Sequence, residues 1–140
     1  MSETPRRIAG VLDAGVVLAR LETSHPAHGP ARALLDRCRE GRADLTISVV
    51  NLAEVLTHAH RFALETGVSP LELLTGFRVS VHSPDAGVAR RVADMASLEG
   101  TSLADRFAAA TAEVLSARLY TTDRALAKAA ARRRIPVSLF

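Results

Sequence analysis

The chain has 140 residues, 48% of them hydrophobic, a size and composition that suit one compact domain with a real core. No run approaches the roughly 20 uninterrupted apolar residues of a membrane-spanning helix, and the single cysteine, Cys38, excludes an internal disulfide and a thiolate metal cluster. The net charge of +3 is carried almost wholly by arginine, Lys128 being the only lysine; this favours an anionic partner such as nucleic acid, although a GC-rich genome would produce the same bias, and four Phe with one Tyr make a poor base-stacking platform.

Arg6 and Arg7 followed by IAGVLDAGVVLARL have a faint look of a secretory signal. Asp13 interrupts the apolar run, however, and no small-x-small cleavage site follows closely. The segment reads instead as a first core strand, Ile8 to about Asp13, and a short helix, AGVVLARL. A cytoplasmic protein is the default expectation. SHPAHGP is rich in turn formers and reads as a loop. ARALLDRCRE, residues 31–40, has the i, i+3, i+4 apolar repeat of a helix, with Gly41 as its stop. Cys38 falls on a partly buried face of that helix, with no partner that would make it a nucleophile.

DLTISVV is a β-branched run and predicts a buried strand near residues 44–49. NLAEVLTHAHRFALETG predicts one helix from about Asn51, ended by Gly67, and Ser69-Pro70 opens another, PLELLTGF. VSVHS alternates as a third strand, and PDAGVARRVADMASLEG predicts a helix from Pro84 ended by Gly100. Thr101 and Ser102 then open a long helix, SLADRFAAATAEVLSAR; LYTT is a fourth short strand, DRALAKAAARRR a helix and IPVSLF a last strand. Alternating strands and helices predict an α/β fold, a three-layer α/β/α arrangement with a mostly parallel sheet of about five strands and right-handed crossovers. Without a repeat, linker or low-complexity segment, residues 1–140 read as a single domain.

Four acids, Asp13, Glu54, Asp105 and Asp123, fall at strand-to-helix junctions or in the first turns of the helices that follow. In a parallel sheet these junctions share one edge, the carboxyl edge at which open α/β sheets bind ligands. Each acid has an ordinary explanation on its own. Asp13 is a natural N-cap for AGVVLARL, and Glu54 complements a helix dipole. Asp105 completes the capping-box spacing with Ser102. Asp123 caps the last helix, unless Thr121 or Thr122 does so and leaves it free. Their joint placement has no such explanation. Carboxylates gathered at one edge repel by about 3 kcal/mol per pair at ~5 Å and an effective dielectric of ~20. A hard divalent cation relieves that repulsion, and Mg²⁺ chemistry is usually phosphate chemistry.

The remaining polar groups point less sharply. His58 shares a helix face with Glu54, but His58 and His60, two apart, face different ways, and no HExxH is present. A histidine metal site is therefore not indicated, and His25, His28 and His82 are expected in loops or at strand ends. Arg132, Arg133 and Arg134 end the last helix, where cations complement the dipole; RNA contact is the competing reading. Apolar side chains in AHRFALETG and PLELLTGF exceed what one small domain needs, which leaves core and interface both open.

Taken together, VLDAGVVLARL, SVVNLAEVL, SLADRFAAATAEVLSARLYTTD and the closing basic helix and strand resemble a PIN-domain ribonuclease, most closely a VapC-type toxin of a bacterial toxin–antitoxin pair. The third segment is the most specific: a helix-starting Asp105, an Ala-rich helix, then an apolar strand ending in Thr121-Thr122-Asp123. The resemblance implies that Asp13, Glu54, Asp105 and Asp123 are the catalytic acidic quartet holding one or two Mg²⁺ or Mn²⁺ ions, with Thr121 as a supporting hydroxyl. It implies hydrolysis of single-stranded or loop RNA, leaving a 5′-phosphate and a 3′-hydroxyl. It also implies a cognate antitoxin protein that blocks the site, a homodimer, and no membrane association. Two departures stand out. Ala14-Gly15 follow Asp13 where the family often has Ser or Thr, which removes a polar support. Arg106 directly follows Asp105. Arg106 and Arg124 each come after a quartet acid, and either steers phosphate or lies on a solvated helix face.

A second reading is a catalytically weak or inactive PIN-like module, whose acidic groove binds a partner protein or RNA and receives an arginine. A receiver-like or phosphatase-like α/β protein is a third. The receiver version needs a functional lysine late in the chain, and Lys128 lies within a helix.

Overall fold

The computed structural model describes residues 7–98 and 100–140, so Arg6 of the signal-like opening lies outside them. β1 (Ile8–Leu12) leads into α1 (Ala14–Leu21) and α2 (His28–Arg39). β2 (Ala43–Ser48) is followed by α3 (Val49–His58), α4 (His60–Thr66) and α5 (Pro70–Gly76). β3 (Ser80–His82) precedes α6 (Ala86–Asp94) and α7 (Leu103–Val114), and β4 (Arg118–Thr121), α8 (Arg124–Arg132) and β5 (Val137–Leu139) complete the order.

Among the described residues the strands form one five-stranded sheet in the order β3-β2-β1-β4-β5. Every pairing is parallel. The chain winds outward from β1 to β2 and β3, then returns to the other side of β1 for β4 and β5. The strand order therefore reverses between β1 and β4, the kind of switch point at which open α/β sheets hold ligands.

Successive side chains on a strand point to opposite faces, and here both faces are covered. Leu12 and Tyr120 pack into one core with Leu45, Ile47 and the apolar stripes of α1, α2 and α3. Val11 and Leu119 pack into the other, against α6, α7 and α8. This arrangement is the expected three-layer α/β/α fold, with the sheet wholly parallel. No described helix is long and apolar enough to cross a membrane.

Several helix boundaries differ from the sequence-based expectation, each for a packing reason. The single helix expected from Asn51 to Gly67 starts earlier, at Val49, because the Ser48 hydroxyl caps it by accepting from the Val50 N–H. It then breaks at Ala59 (φ −90°, ψ 11°). α3 buries Asn51, Leu52 and Val55, whereas α4 has no fully buried residue and touches the core only through the partly buried Phe62. Gly67, at φ 70°, ends α4 as expected, in a left-handed conformation that favours glycine. The helix expected over 84–100 runs only from Ala86 to Asp94, capped by Asp85. Val88, Val92 and Met95 complete its buried stripe, and Met95 ends the helix as its C-cap; Leu98 beyond it packs on the same core only partly buried. α2 takes in His28, Gly29 and Pro30, which were expected to lie in a loop. Proline is tolerated in a first helical turn, where its missing N–H is no loss.

Part of the closing basic run serves the fold. The Arg133 guanidinium bonds Glu113 Oε1 at 2.8 Å, and Arg91 bonds the same oxygen at 2.7 Å, tying α6, α7 and the end of α8 together. The hydrogen bond from Arg133, then that from Arg91, holds the Glu113 carboxyl below its usual range against partial burial.

Leu119 is fully buried on a central strand. Leu119→Ala should lower unfolding free energy by about 3 kcal/mol, the usual effect of emptying such a position. Urea titration checks this, and a loss below about 1 kcal/mol would contradict the packing of β4 against α7 and α8.

Candidate functional site

The site begins where β1 ends. The Asp13 N–H still bonds the Tyr120 carbonyl at 3.0 Å, extending the β1–β4 pairing by one residue. The chain then turns into α1, and Asp13 caps it: Oδ1 accepts from the Ala14 N–H at 2.8 Å. Oδ2 accepts from the Thr121 hydroxyl across the strands at 2.7 Å. Thr121 is itself wholly buried, and its oxygen accepts from the Asp123 N–H at 3.0 Å, which fixes the hydroxyl's direction. Asp13 is only 5% exposed. Burial raises its pKa from 3.8 to about 6; the Thr121 hydrogen bond opposes the shift, and the charges of Asp105 and Glu54 add to it.

The other acids arrive from three different helices. Glu54 lies in the second turn of α3, half-buried. Asn51, one turn earlier and 0% exposed, donates from Nδ2 to the Ala104 carbonyl at 3.0 Å. This bond ties α3 to the start of α7, beside Asp105. Asp105 forms a full capping box: its Oδ2 accepts from the Ser102 N–H at 2.9 Å, and Ser102 Oγ accepts from the Asp105 N–H at 3.1 Å. Asp123 Oδ1 accepts from the Leu126 N–H at 3.1 Å, so Asp123 itself caps α8. The expectation that a neighbouring threonine might cap instead is not met, because the Thr121 hydroxyl is already engaged with Asp13 and the Asp123 backbone.

All four acids line one cavity of about 940 Å³ at the carboxyl edge of the sheet, beside the β1–β4 switch point. Among the described residues no three such side chains stand close enough to form a ready-made metal shell. The capping bonds turn the Asp105 and Asp123 carboxylates toward their own helices, and mutual repulsion keeps such groups apart. The donor set is all oxygen, which suits a hard divalent cation. Mg²⁺ in particular keeps several waters and needs only one or two direct carboxylates. The residues present fit such an ion by chemistry and by shared cavity, with the oxygens of Asp13 the most rigidly held.

The neighbouring arginines are placed differently from each other. Arg106 donates to the Thr101 hydroxyl at 3.2 Å and to the Thr101 carbonyl at 3.1 Å, securing the turn that leads into α7. Arg124 is exposed on α8. Two residues near the acids were not singled out from sequence, Arg61 on the cavity wall and the buried Asn51. Arg61 reaches the cavity wall together with His58, because the break at Ala59 redirects α4. Asn51 could have been noticed as the one uncharged polar residue in the otherwise apolar stretch around Glu54, VVNLAEV.

The raised pKa of Asp13 has a stability consequence. Its contribution is fully present at low pH, where the carboxyl is protonated, and is lost as pH rises through about 6. Asp13→Asn should therefore stabilise the cation-free protein at pH 8 by up to ~3 kcal/mol and change little at pH 4. Urea unfolding in EDTA at the two pH values tests this, and equal effects at both would contradict the burial of an ionised group.

Comparison with known proteins follows the same lines. A search among curated proteins returns no match. Among solved structures, the chain is similar to the sarcin–ricin-loop-cleaving toxin VapC20 of Mycobacterium tuberculosis, with 16% identity, a TM-score of 0.66, and coverage of 86% of this chain and 94% of that one. It is similar to VapBC2 of Rickettsia felis, seen bound to a promoter DNA fragment, with 17% identity, a TM-score of 0.69 and coverage of 94% and 98%. It is also similar to the FitAcB structure of Neisseria gonorrhoeae, with 25% identity, a TM-score of 0.62 and coverage of 91% and 95%. The PIN domain family matches residues 10–132, from within β1 to the end of α8, and so takes in all four acids. With sequence match, strand order and neighbours in agreement, the chain belongs to the PIN domain family.

Proposed function

We propose that the protein is a Mg²⁺- or Mn²⁺-dependent endoribonuclease, the toxin of a toxin–antitoxin pair. In this reading Asp13, Glu54, Asp105 and Asp123 are its catalytic and cation-holding residues, within one domain. The carrying observation is the buried Asp13 carboxylate, whose pKa is raised in part by Asp105 and Glu54 in a cavity that Asp123 also lines. An array of acids that destabilises itself is tolerable when a cation neutralises it.

A bound divalent cation supplies positive charge for the scissile phosphate and lowers the pKa of water. The chain's own residues do the positioning. Asp13 presents oxygens fixed by the Ala14 N–H and the Thr121 hydroxyl. Asp105 and Asp123 sit at helix N-termini, whose dipoles moderate their negative charge. Glu54 is held at its distance from Asp105 by the Asn51–Ala104 bond. Hydrolysis in line would leave a 5′-phosphate and a 3′-hydroxyl. Single-stranded or loop RNA is the substrate class in this reading, because its unstacked bases and free backbone are open to recognition.

The neighbours that are toxin–antitoxin complexes support a cognate antitoxin as partner. Leu64 and Leu71, exposed on α4 and α5, support an apolar partner surface, in a homodimer or against the antitoxin. A cytoplasmic location fits such a protein.

A second reading draws on the capping bonds of Asp105 and Asp123: a binding module whose acidic cavity accepts an arginine side chain from a partner without turnover. The two readings diverge experimentally. Asp13→Asn combined with Asp105→Asn should abolish Mg²⁺-dependent cleavage of total RNA, with a loss of at least about 100-fold. EDTA should do the same to the unaltered chain, and Mn²⁺ should raise its melting temperature. Undiminished cutting by the double variant in Mg²⁺ would sink the nuclease reading. Partner binding with no cleavage by the unaltered protein would establish the binding module.

A further inference from the structure

Gly15, the second residue of α1, does not have a positive φ, so its backbone conformation does not call for glycine. Within a helix glycine is less stable than alanine. The reason for it is spatial: a Cβ at position 15 would collide with the Thr122 Oγ1. The Thr122 hydroxyl thus lies directly over the first turn of α1, on the wall of the cavity that also holds Asp13, Asp105 and Asp123. Capping does not account for it, because Asp123 caps α8. Its neighbour Thr121 is wholly buried and serves Asp13 from behind. Two consecutive threonines therefore divide, one buried against the Asp13 carboxylate and one on the cavity wall beside Gly15.

We propose that Thr122 supplies a cavity hydroxyl to the hydration shell of the divalent cation, seated against α1 in the space that glycine at position 15 leaves. This rests on the cation-dependent reading above. The segment after Asp13, Ala14-Gly15, carries no polar side chain. The β4–α8 junction delivers one to the same place from a distant part of the chain. A hydroxyl also adds what the acids lack. Ionised carboxylates only accept hydrogen bonds, whereas a hydroxyl both accepts and donates, so it can order a shell of waters that Mg²⁺ or Mn²⁺ retains.

The test measures the melting temperature of the full chain against Mn²⁺ concentration, with cleavage of total RNA as a second readout. Thr122→Val removes the hydroxyl at nearly constant volume and should weaken half-saturation by Mn²⁺ about 10-fold, with little change in the Mn²⁺-free melting temperature. Thr122→Ser should bind as the unaltered chain does. Gly15→Ala should lower the Mn²⁺-free melting temperature, and Gly15→Ala with Thr122→Ala should restore it while leaving Mn²⁺ binding weak. Should Thr122→Val fail to fold, Thr122→Ala makes the same comparison. If Thr122→Val binds Mn²⁺ as tightly as the unaltered chain, and both cleave RNA equally, this role for Thr122 is wrong and the nuclease reading stands. If the unaltered chain shows no Mn²⁺ shift, both fall together.

Discussion

A carboxylate withdrawn from water between two hydrogen-bond donors organises this molecule. Asp13 accepts from the first N–H of α1 and from a hydroxyl at the end of β4. Those donors come from the two chain segments that meet where the strand order reverses. The pairing of β1 with β4 brings Thr121 within reach, and the burial of both residues makes the contact short and directional. The other acids take their positions from helices that start at the same edge.

Fold and site draw on the same side chains. Asp13, Asp105 and Asp123 each close a helix N-terminus with a backbone hydrogen bond. N-caps and helix dipoles stabilise negative charge there, which helps explain how the fold tolerates so many acids around one cavity. The compensation is uneven. Asp105 and Asp123 keep partial contact with solvent, whereas Asp13 is sealed and bears the shift in pKa. A cluster built from helix caps is held by local geometry, so it persists before any ligand arrives.

Several arginines are engaged elsewhere in the fold. Arg91 and Arg133 converge on Glu113 at the far side of α7, Arg106 is occupied with Thr101, and Arg32 and Arg39 pair with Asp36 on α2. The exposed pairs on α2 add little stability. Arg61 is the arginine on the cavity wall, facing several acids. The net charge of the whole chain therefore does not describe this cavity, whose lining carries Glu22 and five further carboxylates beside the single Arg61.

Strand identity, the α/β class and the acids at strand ends were legible in the sequence because each follows from local pattern. VLD and LYTTD are apolar runs closed by an acid, TISVV is a β-branched run, and helical periodicity separates them. What α3 and α4 do at Ala59, and where α6 ends, depended on which faces found a core, and no local pattern contains that. The strand order, and so the meeting of Asp13 with Thr121, is a choice among topologies equally compatible with one pattern of elements. The same holds for the close approach of Thr122 to Gly15, two residues far apart in sequence that only the pairing of β1 with β4 could bring together. Local sequence determined which groups could carry charge, whereas long-range packing decided which of them share a cavity, because contact between distant segments is set by how two buried faces of one sheet are filled.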